Sequence, residues 1–193
     1  MSDDLSALSL EELWRLFPIE LREHDPAWAD WYRGEAAALT AVLGRETVRR
    51  LSHIGSTAVP GLVAKPTVDI LLEISRDCAV AGVRERLLAA GWLLMHVNDD
   101  HDLWLVFNKG YTPRGFAEKV YHLHVRYPGD WDELYFRDWL RAHPETAREY
   151  GELKRRLAEA YRHDRDGYTE AKTAFIKGWT AAAREEYAGR HLP

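Results

Sequence analysis

The eight residues Thr67-Val68-Asp69-Ile70-Leu71-Leu72-Glu73-Ile74 constrain the fold more than any other stretch of the chain. They read as a strongly apolar strand opened by Pro66, and they carry an acidic side chain, Asp69, inside that apolar run. A buried carboxylate is costly without a partner or an ion, so the surroundings of this strand have to supply one. Thr47 to Ile54 reads as an earlier strand that enters the turn Gly55-Ser56-Thr57, and Pro60, Gly61 and Pro66 punctuate the connection between the two strands.

Around that pair, strands come first and helices last. Ser9 followed by Glu12 is a capping-box signature for a short helix that Pro18 ends. Residues 1–18 are therefore read as a helical extension, and 19–193 as a single domain with no compositional break to mark a linker. Ile19-Glu20-Leu21 reads as a brief edge strand. From Pro26, the residues Trp28, Trp31, Tyr32, Ala36, Leu39, Val42 and Leu43 recur at helical spacing up to a stop at Gly44. Asp77 to Ala90 reads as a helix ended by Gly91. Trp92 to Val97 and Leu103 to Phe107 then form a strand pair around the polar tip 98–102. Lys119 to Arg126 is a further strand that places His122 and His124 on one face.

In the last third, Asp130 with Glu133 reads as a second capping box, Pro144 as the first residue of a helix, and Asp166 as the cap of another. Ala147, Tyr150, Leu153 and Leu157, then Tyr168, Phe175, Ile176 and Trp179, keep the helical period. This segregation is the α+β pattern rather than a series of βαβ units.

Composition narrows the function. A formal charge of -5 argues against a generic nucleic-acid binder, which needs a basic surface. No stretch approaches the roughly 20 apolar residues of a membrane span, and the acidic start Met1-Ser2-Asp3-Asp4 is unlike a signal peptide. The single cysteine, Cys78, reads as a packing residue and points to a reducing, cytoplasmic setting. Eight tryptophans and 46% hydrophobic residues supply a core without metals or disulfides.

The chemistry centres on the turn. Gly55 lets a phosphate approach the backbone closely, and Ser56 and Thr57 add hydroxyl donors. Asp69 on the next strand is placed to hold a divalent cation, Mg²⁺ or Mn²⁺, against that phosphate. His122 and His124 share a strand face and are expected to join Asp69 as metal ligands, which would favour Zn²⁺ or Fe²⁺; alternatively, His124 serves as a general base. Lys65, Arg114, Lys119, Arg126, Arg137, Lys154 and Lys172 are the cationic candidates for phosphate, with Tyr168 one turn before Lys172 offering a stacking surface. Lys154, set among Glu149, Glu152, Arg155 and Arg156, reads as part of a solvated helix face. The plainer readings are a turn whose hydroxyls cap the next helix, a salt bridge from Asp69 to Lys65 or Arg126, and strand histidines satisfied by local hydrogen bonds.

The whole string His53-Ile54-Gly55-Ser56-Thr57-Ala58-Val59-Pro60-Gly61-Leu62-Val63-Ala64-Lys65-Pro66-Thr67-Val68-Asp69-Ile70 resembles the signature of the GrpB family. Further matches are Tyr121-His122-Leu123-His124-Val125, Phe136-Arg137-Asp138-Trp139-Leu140-Arg141, Tyr150 with Leu153-Lys154, and Tyr168 with Lys172 and Phe175, so the resemblance spans about residues 19 to 180. It implies a nucleotidyltransferase-like core, a mixed sheet with flanking helices and a C-terminal helical segment, of a kind also found fused to some dephospho-CoA kinases. Active members of that superfamily carry two strand carboxylates one residue apart and a third on a neighbouring strand. Here Asp69 fits the first position, Leu71 stands at the second, and His122 and His124 occupy the region of the third.

Three functions follow as expectations. The chain is a nucleotidyltransferase-like enzyme that binds a nucleotide or other phosphorylated small molecule and acts on a small acceptor; or it is an inactive ligand-binding module on the same fold; or its cleft is refitted for histidine or metal chemistry on a small metabolite.

Overall fold

The computed structural model describes residues 8–98 and 102–193. The first helix, α1 (Leu10–Leu16), is opened by Ser9, whose hydroxyl accepts from the Glu12 N–H while the Glu12 carboxylate accepts from the Ser9 N–H. The chain continues through α2 (Ala27–Leu43), β1 (Val48–Ile54), a single 3-10 turn at Ser56–Ala58, β2 (Thr67–Ile74), α3 (Val80–Ala89), β3 (Leu93–Asn98), β4 (Trp104–Thr112) and β5 (Gly115–Arg126). Four helices end it: α4 (Asp132–Ala142), α5 (Pro144–Ala160), α6 (Arg165–Glu170) and α7 (Thr173–Glu186). This is the expected α+β segregation, and the strand expected over Thr67 to Ile74 forms with those bounds.

The five strands make one mixed sheet in the order β1-β2-β5-β4-β3. β2 and β5 run parallel, with Asp69 opposite His122 and Leu71 opposite His124; the other pairings are antiparallel. Successive side chains on a strand point to opposite faces. Val68, Ile70, Leu72 and Ile74 of β2 accordingly join Leu123 and Val125 of β5 in a core closed by Trp28, Leu39 and Leu43 of α2 and Val83 and Leu87 of α3. The other face of β2, bearing Asp69, Leu71 and Glu73, turns toward the C-terminal helices, where Leu71 packs against Ile54 and Leu134. A separate cluster ties Val59 and Leu62 to Leu140, Ala147 and Tyr150, fixing α4 and α5 over the turn after β1.

Three local expectations are corrected. Residues 19–21 form no strand; only an isolated bridge, Arg22 to Ala64, joins that segment to the loop before β2. Asp130 does not cap α4, whose N-cap is Trp131 without a side-chain bond, because the Asp130 carboxylate accepts from Arg184 at 2.8 Å. The cap of α6 is Asp164, which accepts from the Gly167 N–H at 2.8 Å, and not Asp166, which lies inside the helix. The expected polar tip at 98–102 falls largely on residues outside those described.

Candidate functional site

A cavity of about 210 Å³ opens between the sheet and the C-terminal helices, lined by Gly55, Ser56, Thr57, Lys65, Thr67, Asp69, His122, Tyr150, Lys154, Tyr168 and Lys172. The β1–β2 connection contributes the turn and Lys65, the β2–β5 pair contributes Thr67, Asp69 and His122, and α5, α6 and the residue opening α7 contribute the rest. Gly55 is essential to this construction. Its φ of 70 is a conformation that side chains disfavour, and a Cβ there would overlap Asp69 Oδ2. Only glycine lets the turn and the strand carboxylate sit this close.

Asp69 is held by His122, whose Nδ1 lies 3.1 Å from Asp69 Oδ1, and its side chain keeps 28% of its exposure. The other ring nitrogen, Nε2, is 2.7 Å from the Tyr111 hydroxyl, which accepts from Arg165 at 3.2 Å. One assignment satisfies every group: Arg165 donates to Tyr111, Tyr111 to Nε2, and Nδ1–H to the carboxylate. Burial pushes the Asp69 carboxyl up, but the His122 hydrogen bond and the charges of His122, His124 and Lys65 outweigh it and hold the group below the usual carboxylate range. Burial likewise raises the Tyr111 hydroxyl, keeping it protonated as a donor.

Three lysines surround that one carboxylate. Lys154, only 2% exposed, donates to Ser56 Oγ at 2.9 Å and to the Val63 carbonyl, and it lies 4.7 Å from the Tyr150 ring centroid. Lys65 and Lys172 flank the buried Tyr168 ring, at 5.6 and 4.0 Å from its centroid. None of the three forms an ion pair among the described residues. Burial and repulsion from neighbouring cations lower all of them: Lys65, with Arg165 and Lys172 nearby, falls to about 7. Lys172 falls to about 8 through burial, partly countered by Asp69. Lys154 is lowered well below the ordinary lysine range by burial and then by Lys172 and Lys65.

The cavity thus gathers Gly55, Ser56, Thr57, Lys65, Asp69, His122, Tyr168 and Lys172 of the expected site. His124 is not part of its lining; it sits one step along β5 opposite Leu71 and Val106, with Nδ1 buried and unpartnered among the described residues and its basicity lowered by burial. Arg126 turns away to Glu133 at 2.9 Å and lies over the Trp131 ring. Arg137 bonds Asp138 at 2.7 Å and the His53 carbonyl at 3.1 Å, and it lines a neighbouring pocket instead. Asp69 pairs with His122 rather than with Lys65 or Arg126. Lys154, a cationic candidate set among the charged residues of a solvated face, enters the site buried, and Tyr150 joins it from the apolar stripe of the same helix.

The donor set is a poor match for the paired divalent cations of the superfamily. Leu71, at the second carboxylate position, is fully buried in an apolar cluster. Glu73, two residues further, is fully buried and accepts from Arg50 at 2.9 Å, from the Gly129 N–H and from Trp131 Nε1. Among the described residues no three His, Cys, Asp or Glu side chains are grouped to hold an ion.

A mixed sheet in this order, with a Gly-Ser turn against a strand carboxylate and helices closing one face, defines a nucleotidyltransferase-like fold. The crystal structure of Cid1 poly(U) polymerase with Mg 3′-dATP bound aligns at a TM-score of 0.51 and 11% identity, covering 84% of this chain and 51% of that one, a likeness of fold. Within that class the chain belongs to the GrpB family: the GrpB protein family model matches residues 18–182. The crystal structure of the conserved protein GrpB from Enterococcus faecalis aligns at a TM-score of 0.74 and 32% identity, covering 87% of this chain and 99% of that one. A UPF0157 protein of Pseudomonas aeruginosa is 39% identical over 159 residues, which span 82% of this chain and 64% of that protein's length. A dephospho-CoA kinase of Mycolicibacterium paratuberculosis is 28% identical over 185 residues, covering 83% of this chain and 44% of the kinase. Among the described residues no helix is long and apolar enough to cross a membrane.

Proposed function

We propose that the chain binds a nucleotide or related phosphorylated small molecule, seating phosphate against Ser56, Lys65, Lys154 and Lys172, and passes a group from it to a small acceptor. The reading rests on a single observation: three lysines unpaired by carboxylates converge on a cavity whose lone carboxylate, Asp69, is already engaged by His122. Lysines that take up protons as an oxyanion arrives, in a site partly closed to water, supply the electrostatic stabilisation that group transfer from phosphate requires. Asp69 and His122 provide the acid–base pair, with Tyr111 and Arg165 setting the histidine's orientation. No step needs a cation, so phosphate binding persists when divalent metal is chelated. The lone, unpaired Cys78 suits a reducing cytoplasmic setting.

A second reading, a binding module without turnover, is favoured by Leu71, whose apolar burial removes a carboxylate that transfer enzymes of this fold employ. Thermal unfolding with ribonucleoside di- and triphosphates, with and without Mg²⁺, measured beside product analysis with candidate acceptors, separates the two. Stabilisation with turnover supports transfer, and stabilisation alone supports the module. In either case Lys154→Met is expected to weaken binding by about 1.5–3 kcal/mol, the worth of a hydrogen bond to a charged group. If no phosphate compound raises the melting temperature, both readings are wrong.

A further inference from the structure

The lysine cavity has a larger neighbour. A pocket of about 500 Å³ lies between α4, α5 and α7, and it shares Gly55, Ser56 and Tyr150 with the cavity. That volume is typical of small-molecule sites, which run to about 300–1,000 Å³. Its walls are of a different kind: Phe136, Leu140, Tyr150 and Ile176 provide an apolar surface, with Phe136 edge-on to Tyr150 at 5.3 Å between ring centroids. Its charged residues are largely matched within the protein. Glu133 pairs with Arg126, Asp132 with Arg184 and Arg137 with Asp138, leaving the exposed Lys177 at the edge. The Thr180 hydroxyl, on the α7 side, has no hydrogen-bond partner among the described residues.

Two adjoining pockets, one strongly cationic and the other apolar with its charges neutralised, divide a ligand in two. Their common wall is Gly55, Ser56 and Tyr150, and at the exposed Gly55 it carries no side chain. We infer that the pocket between α4, α5 and α7 holds the uncharged, flat or apolar half of the phosphorylated ligand, which makes that ligand a nucleoside phosphate or a phosphate ester of similar two-part chemistry rather than a small polyanion. The inference rests on the proposed seating of phosphate among the lysines, and it assigns the opposite end of the molecule. A second phosphate group is a poor occupant, because the pocket offers it no surplus of fixed positive charge beyond Lys177. Aromatic walls suit a planar ring system, and the Thr180 hydroxyl suits a polar ring edge.

The test compares inorganic pyrophosphate, which reaches only the lysines, with the four common ribonucleoside 5′-diphosphates, by calorimetry on the full chain. Wild-type protein is expected to bind at least one nucleoside diphosphate tenfold or more tighter than pyrophosphate. Ala181→Trp, at an exposed α7 position that lines the pocket, is expected to erase that advantage while leaving pyrophosphate affinity within twofold. Lys172→Ala is expected to weaken both probes. Ala181→Phe repeats the measurement with a smaller block, so that a folding defect in one variant leaves the question answerable. Equal affinity for pyrophosphate and every nucleoside diphosphate, or an advantage that survives both blocking variants, overturns the inference but leaves the phosphate site standing. Pyrophosphate and nucleotide affinities that both ignore Lys172→Ala overturn the phosphate site and this inference together.

Discussion

Asp69 and Glu73 lie on the same face of β2, four residues apart, and they have opposite fates. Glu73 is fully buried, with Arg50, the Gly129 N–H and Trp131 Nε1 donating to it, and it fastens the β1–β2 pair to the loop before α4. Asp69 has one strong partner, His122, keeps part of its surface, and looks into a cavity lined with lysines. A carboxylate satisfied by three donor groups is a structural fixture, whereas one left with spare acceptor capacity among excess positive charge is available to a ligand. The kind of side chain is the same at both positions, and the count of donors around each decides its use.

The sharpest way to break the comparison is to remove Glu73. Glu73→Ala removes the buried acceptor of the half-buried Arg50, the Gly129 N–H and Trp131 Nε1, so unfolding in denaturant is expected to lose about 3 kcal/mol, the low end for breaking a buried pair because Arg50 keeps the His191 and Gly129 carbonyls. Asp69→Asn should cost far less, because the amide oxygen still accepts from His122. If the two substitutions destabilise equally, the contrast between fixture and site is wrong.

A smaller effect is expected at the turn. Gly55→Ala forces an unfavourable φ and pushes the Asp69 carboxylate aside, so stability should fall by more than about 1 kcal/mol and nucleotide affinity should fall with it. Gly61→Ala, also at positive φ but with open space around its Cβ, provides the control: it should cost stability and leave affinity unchanged.

The smallest effect is in pH. Lys65 and Lys172 lose their protons near 7 and 8 when folded, well below their ordinary value of 10.5. Between those values and 10.5 the unfolded chain binds more protons, so the lysines' contribution to stability grows as pH rises through that window. An anionic ligand needs the ammonium form, so its affinity should decline by about tenfold or more from pH 7 to 9, where a phosphomonoester is already doubly charged. Melting curves of the free protein and titrations with a nucleoside diphosphate should therefore slope in opposite directions. Parallel slopes would mean that these lysines do not meet the ligand.

Much of this was legible in the residues. Where a local signal and the tertiary need agree, as for the apolar run of β2, the stop at Gly44 or Pro144 at the start of α5, the element forms where it was read. Asp130 shows the opposite: a capping signature is outbid by Arg184, which arrives from α7, 54 residues away. Ile19 to Leu21 has strand-like residues but no adjacent edge, and the backbone N–H of Ile19 donates instead to the Arg162 carbonyl. Within the site, residues near the glycine turn were readable because their chemistry is local. Lys154 stood among the cationic candidates but was the weaker one, since its helix neighbours Glu149, Glu152, Arg155 and Arg156 are those of a wet surface. Its burial depends on meeting the Val63 carbonyl and Ser56, which come from the far side of the fold. Of the two strand histidines, spacing gave them a common face but could not tell which would stand beside Asp69; the parallel β2–β5 register decides for His122.

The Tyr168 ring between Lys65 and Lys172 carries one more implication. Its electron-rich face steadies both ammonium groups without cancelling their charge, unlike an acidic residue in the same place. An arriving anion therefore has no built-in rival to evict, and the attraction it feels on approach is the same attraction that retains it.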